Sequence, residues 1–175
     1  MKKKLLVLGV VVALLAAATV PAFADDQQAV TCTVTARLIS ISVTPPGVDY
    51  GVMDFETNKS SAEAPVSVTF TATNMGTVAE DFWAKGADAK INDTPAWTIV
   101  NNTIGTNQYM HSVTGVTPAI AELKLLTTEQ TWAAGASGIA PAGTQTFTTK
   151  IYMPAADSAP GNASAIITII AMVHE

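Results

Sequence analysis

The chain has 175 residues, of which 49% are hydrophobic and 13% charged, and a formal net charge of −5. It holds one cysteine and two histidines. That supply excludes an internal disulfide framework and falls short of the four nitrogen or sulfur ligands of a structural zinc site. Beyond Lys2, Lys3 and Lys4 the few bases stand singly, so neither a phosphate backbone nor an anionic membrane surface is a fitting partner.

The N-terminus reads as a targeting segment. Lys2, Lys3 and Lys4 precede an apolar run from Leu5 to Val20, and Ala22-Phe23-Ala24 follows as an A-x-A cleavage site. The run is shorter than the about 20 residues of a membrane span. Residues 1–24 are therefore predicted to be a secretory signal peptide, with residues 25–175 as one exported domain. Three of the nine bases lie in the leader, so the mature chain sets six against 14 acids, a net charge of −8. No later run predicts a membrane span after cleavage. Such acidity suits solubility outside the cell.

The first strand is predicted over 31–44. Cys32, Val34, Ala36 and Leu38 share one face, and then Ile39, Ile41 and Val43 share the other. A one-residue slip turns every later side chain over. A β-bulge or a strand that leaves one sheet for the other would produce it. Cys32 is expected to be a small buried hydrophobe, with an intermolecular disulfide as the alternative. Pro45-Pro46-Gly47 ends the strand, and a short extended piece is expected near 48–55.

Residues 65–73 alternate cleanly between Val66, Val68, Phe70 and Ala72 and a Ser/Thr face. Asn74-Met75-Gly76 is a turn. In the strand 80–85, Phe82 and Ala84 are expected inward and Trp83 outward. The segment 86–108 is polar and predicts a long surface loop, with candidate strands at 97–100 and 109–113. Weaker strands follow at 123–128 and 130–133. Residues 144–153 alternate again. The last strand, 163–174, is apolar on both faces: Ile167, Ile169 and Val173 on one, Ile166, Ile170 and Met172 on the other. Its second face needs a cover, either from the chain itself or from another subunit. About seven to nine strands in one domain predict an all-β, immunoglobulin-like antiparallel sandwich.

Motifs for chemistry are sparse. Gly135-Ala136-Ser137-Gly138 has the wrong spacing for a nucleophile elbow, and a hydrolase would have to use His111. Asp88 to Asp93 lacks the alternating oxygen spacing of a calcium loop. No catalytic residue, metal or cofactor is expected. The triplets at Asn58, Asn92, Asn101 and Asn162 match the glycosylation sequon, but the Lys-rich leader is of bacterial type and they are read as unmodified. Trp97, Tyr109 and Trp132 are the candidate glycan contacts, since aromatic faces at loop ends can stack on sugar rings; core packing is the competing assignment.

Pro45-Pro46-Gly47-Val48-Asp49-Tyr50-Gly51, the strand and turn Val66 to Gly76, and Phe82 to Gly86 together resemble the start of Ig-like modules in prokaryotic secreted surface proteins. The Asn-x-Gly turn after a leader and a β-sandwich is similar to camelysin-like matrix fibre subunits. Trp97-Thr98-Ile99 resembles the motif of WxL cell-wall-binding domains. These resemblances imply an extracellular β-sandwich and carry over no active-site residue.

The expectation is a non-enzymatic protein of the cell surface or extracellular matrix. It would act through contacts with itself or other surface proteins, by lending a strand from 25–44 (Cys32, Val34, Ala36, Leu38) or from 163–174 (Ile166, Ile170, Met172). A carbohydrate-binding or adhesin module that takes a polysaccharide is the alternative.

Overall fold

The computed structural model describes residues 34, 36–132 and 137–175. Residues Ala36–Glu175 form one compact unit. The predicted leader and Cys32 lie outside the described residues.

Among the described residues twelve strands follow one another: β1 (Ile41–Thr44), β2 (Asn58–Ser60), β3 (Phe70–Asn74), β4 (Glu80–Gly86), β5 (Ala89–Ile91), β6 (Thr94–Ile99), β7 (Gln108–Thr117), β8 (Ile120–Lys124), β9 (Gln130–Thr131), β10 (Thr144–Tyr152), β11 (Ala163–Ser164) and β12 (Ile167–Val173). Among the described residues there is no helix, and so none long and apolar enough to cross a membrane. The protein is all-β, in two sheets. Nine strands form a sheet curled into a half-barrel, in the order β1-β3-β10-β7-β6-β5-β11, with β2 added on β10 and β8 on β7. The second sheet is β12-β4-β9.

The two longest strands organise the large sheet. β7 and β10 pair antiparallel from Met110–Tyr152 to Thr117–Thr146. Their length leaves each with more outer edge than a short strand can use. The outer edge of β10 is divided between β3, opposite 144–147, and β2, opposite 150–152. Ser61 closes the gap between them. Its N–H donates to the Thr149 carbonyl at 2.7 Å, its Oγ accepts from the Thr149 N–H at 3.0 Å, and that hydroxyl donates to the Val68 carbonyl at 2.8 Å. The outer edge of β7 is likewise shared, between β6 at 108–109 and β8 at 112–115. The β6–β7 pair is parallel. Both the strand count and this parallel pair depart from the expected antiparallel set of seven to nine.

The alternation predicted for 80–85 and 144–153 is observed. Phe82 and Ala84 are buried and Trp83 faces outward, and Phe147 and Thr149 point inward from β10. Phe147 is at the centre of the core. Its ring stacks on Phe70 at 5.1 Å and meets the edge of Trp132 at 4.9 Å. A β-bulge in β7 sets Gly115 opposite Phe147. A Cβ on Gly115 would lie 2.7 Å from the Ile120 Cβ, so this glycine lets β8 fold back closely.

The polar segment 86–108 is not a long loop. It contains the hairpin β5–β6, turned by Asn92 and Asp93, both at positive φ (51° and 63°). Two successive residues at positive φ are the mark of a tight two-residue hairpin turn, which Asn and Asp tolerate well. The Asp88 carboxylate, which the sequence offers as a stray acid, accepts from the Ile99 N–H at 3.0 Å and ties the hairpin base.

The chain crosses between sheets at β3–β4 through a buried polar seam. Asn74 is fully buried. Its Nδ2 donates to the carbonyls of Val78 and Ile139 at 2.8 and 2.7 Å, and its Oδ1 accepts from the Gly76 N–H at 2.7 Å. Replacing Asn74 with alanine would strand these groups in the interior. Asn74→Ala is expected to lower stability by about 3 kcal/mol, at the upper end of what one unsatisfied buried site costs. In urea unfolding the midpoint should fall with the slope unchanged. Met75→Ala, at an exposed neighbour, should stay within about 0.5 kcal/mol of wild type; equal effects at 74 and 75 would contradict the seam.

Candidate functional site

The most distinctive surface is the small sheet. β12 pairs along its whole length with β4, from Ile167–Gly86 to Val173–Glu80, and its other edge pairs with no strand among the described residues. Ile167, Ile169 and Ala171 pack inward on the core. Thr168, Ile170 and Met172 therefore face outward, with Ile170 opposite Trp83 and Met172 opposite Asp81. Met172 is 42% exposed, and Ile166, just before the strand, 62%. Of the predicted set, Ile166 lies before the strand and lines the space between the sheets, while Ile170 and Met172 share one outer face with Trp83. Polar pairs rim it. Lys85 and Glu129 meet at 3.3 Å, and His174 Nδ1 lies 2.7 Å from Asp81 Oδ1. Surface pairs of this kind add little stability, so the rim shapes the patch more than it holds the fold.

The predicted N-terminal strand differs from expectation. Of its described residues, only Ile41–Thr44 form a strand. Leu38 and Ile39 are both exposed, as are Val34 and Ala36. The phase slip is neither a bulge nor a change of sheet. Instead 38–40 hangs on the polar seam. The Thr77 N–H donates to the Leu38 carbonyl at 2.9 Å, the Met75 N–H to the Ser40 carbonyl at 2.7 Å, and the Ser40 N–H to Glu80 Oε1 at 2.8 Å. Glu80 is fully buried, and its Oε2 has no partner among the described residues. Of the predicted assembly residues on this segment, Ala36 and Leu38 form no buried face.

The candidate glycan contacts are placed inside. Trp97, Tyr109 and Trp132 are 3%, 0% and 0% exposed. Their polar atoms explain how two of them go in: Trp97 Nε1 donates to the Ala159 carbonyl at 3.0 Å, and the Tyr109 hydroxyl donates to the Ala87 carbonyl. A sugar ring needs an open aromatic face, and these three present none. This corrects the glycan assignment of all three.

A serine, a histidine and an aspartate do converge, at Ser137, His174 and Asp81. Ser137 Oγ and Asp81 Oδ1 both meet the same ring nitrogen, Nδ1, at 3.4 and 2.7 Å. A relay needs the hydroxyl on one nitrogen and the carboxylate on the other, so this cluster lacks the geometry of a triad. Asp81 is shifted despite the opposing effect of its slight burial: the Gly138 N–H and His174 hold its carboxyl below the ordinary range.

His111 lies elsewhere, on the inner face of β7 opposite Ile151. It is 4% exposed. Its Nε2 lies 3.4 Å from the Tyr50 hydroxyl, which is also 2.5 Å from Thr149 Oγ1. Nδ1 has no partner among the described residues. Burial pushes the ring's pKa down to about 4 and that of Tyr50 up to about 12. Both are neutral at pH 7. No group of three or more candidate metal ligands occurs among the described residues. Sequence reasoning missed the Tyr50–Thr149–His111 cluster because its members lie on a loop and two strands. A tyrosine between Asp49 and Gly51 in a Pro/Gly segment was the one available hint.

The buried histidine makes stability depend on pH. An unfolded histidine takes up its proton near 6.5, whereas His111 in the fold does so only near 4. Between those values the unfolded chain binds more protons. His111's contribution to stability is thus full above pH 6.5 and declines as the pH falls toward 4. The loss should approach about 3 kcal/mol across that window. Urea unfolding at pH 7.0 and 4.5 measures it, and His111→Gln should flatten the slope; an unchanged slope in that variant would rule His111 out as its source.

Comparison of the chain with models of known protein families finds no match, and comparison with curated proteins finds none. The functional reading rests on the residues described above.

Proposed function

We propose that this is an exported, non-enzymatic structural protein of the cell surface or extracellular matrix, which works by protein–protein contact and self-assembles by strand addition. The observation that carries the reading is the edge of β12 that pairs with no strand among the described residues, beside an outward apolar face of Ile170, Met172 and Trp83. An unpaired edge offers a row of backbone donors and acceptors to another chain, and the side chains beside it set specificity. Soluble proteins commonly blunt such edges with charge, bulges or proline. β12 carries none of these between Ile167 and Val173.

Two features of the sequence agree with this reading. The leader pattern directs export, and the net charge of −8 keeps the exported chain soluble until specific contacts form. The incoming strand is supplied by segment 25–44 of another copy, whose alternation from Cys32 to Leu38 fits one side of a sheet.

Analytical ultracentrifugation and electron microscopy of the exported protein test the proposal. Wild type should associate with rising concentration and give ordered assemblies. Ile170→Lys combined with Met172→Lys should leave the fold intact by circular dichroism and shift the protein to monomer. A wild type that stays monomeric at high concentration, without assemblies, would overturn it.

A further inference from the structure

The two sheets do not close on each other everywhere. A cavity of about 1150 Å³ lies between them. Its walls include Val43 from β1, Phe147 and Ile151 from β10, and Ile167 and Ile169 from β12, and its rim includes the segment from Pro45 to Met53. Interiors of this kind are normally close-packed, with few voids larger than a water molecule. Small-molecule sites, by contrast, run to several hundred Å³ and combine apolar walls with a few convergent polar groups. The polar groups are present: His111 and Thr149 line the cavity, as does Tyr50.

We propose that this cavity binds a neutral, largely hydrocarbon molecule bearing one hydroxyl or carbonyl group, with its chain between the sheets and its polar end at His111 and Tyr50. Three observations lead there. First, the inner walls of this open cleft, Val43, Phe147, Ile151, Ile167 and Ile169, are apolar, and water against them would lack the two to four polar partners it needs. Second, polar side chains converge on one wall: the Tyr50 hydroxyl lies 2.5 Å from Thr149 Oγ1 and 3.4 Å from His111 Nε2. A hydroxyl or carbonyl entering there can join this network, since a phenol both donates and accepts. Third, among the described residues the lining offers no cation. Asp49 is the one acid among them, exposed at the rim, where its carboxylate accepts from the Gly51 N–H at 2.8 Å. The nearby Lys59 ammonium is committed to the Tyr50 carbonyl at 2.8 Å. An anionic head would lie buried without a counter-charge, which is strongly disfavoured. The ligand class is therefore an alcohol or ketone of lipid character, rather than a fatty-acid anion.

The probes are 1-dodecanol and dodecanoate, titrated into the exported protein and followed by calorimetry and by thermal unfolding. One dodecanol should bind per chain and raise the melting temperature, as any ligand of the folded state does. Dodecanoate should bind at least tenfold more weakly at pH 7.5. His111→Phe should weaken dodecanol binding at least fivefold, with His111→Gln as the milder variant if the first fails to fold. Ile169→Trp, which fills the cavity, should abolish binding while leaving assembly on the outer face of β12 unchanged, so failure here is separable from failure of the assembly reading. No dodecanol binding by folded wild type would overturn the proposal. So would equal affinity for dodecanoate, or dodecanol binding untouched in both His111 variants. Binding that appears only on dilution to monomer would also overturn it, since a strand from a second copy would then be the occupant.

Discussion

The pairing of β7 with β10 is the constraint on which the rest of the fold depends. Two strands of ten and nine residues set side by side present two long outer edges. No other strand in the large sheet is long enough to cover either edge alone, so each edge takes two short partners. That division forces a break in the ladder, and a break in a buried ladder leaves backbone groups to satisfy. On β10 the break falls at Thr149, and the side chain and backbone of Ser61 supply the missing partners. The same inner faces, from Phe147 to Ile151 and from Tyr109 to Val113, then define both the packed core and the open cavity beside it.

The second organising element is the polar seam at Asn74 and Glu80. The chain passes there from the half-barrel to the small sheet, so backbone groups on both sides of the crossing lose regular partners. Asn74 replaces them by bridging three residues, and the Glu80 backbone exchanges hydrogen bonds with Ile139 in both directions. The N-terminal segment is attached to this seam through Ser40 and Leu38 and, among its described residues, has no ladder of its own before Ile41. Its hold is a few hydrogen bonds without apolar burial at Leu38 or Ile39. Segments of that kind belong to the low-stability end of a protein. A strand that must leave its own chain to join another would be drawn from there.

Much of this was legible in the sequence where alternation is strict. Phe82, Ala84 and Phe147 are inward because period-two patterning admits no other buried arrangement. The two-faced character of β12 was equally plain from Ile166 to Val173. The segment 86–108 was misread because its hydrophobic alternation is short and its hairpin turn, Asn92-Asp93, lacks the glycine that usually marks such turns. Trp97 and Tyr109 read as loop-end aromatics because the carbonyls that receive their polar hydrogens, Ala159 and Ala87, lie in irregular backbone. The phase slip at Leu38 was real in pattern, but pattern cannot distinguish a bulge from a segment held outside both sheets. The cavity was invisible altogether, since its walls come from Val43 to Ile169 and no local stretch encodes it.

The three tryptophans occupy three unlike surroundings. Trp132 is sealed against Phe147 in the core, Trp97 borders the cavity, and Trp83 looks outward from β4. Indole emission responds to the polarity around each ring, so the chain carries its own set of optical reporters. A protein with Trp83 alone would signal what meets its outer face, one with Trp97 alone what enters between the sheets, and one with Trp132 alone whether the core is still shut.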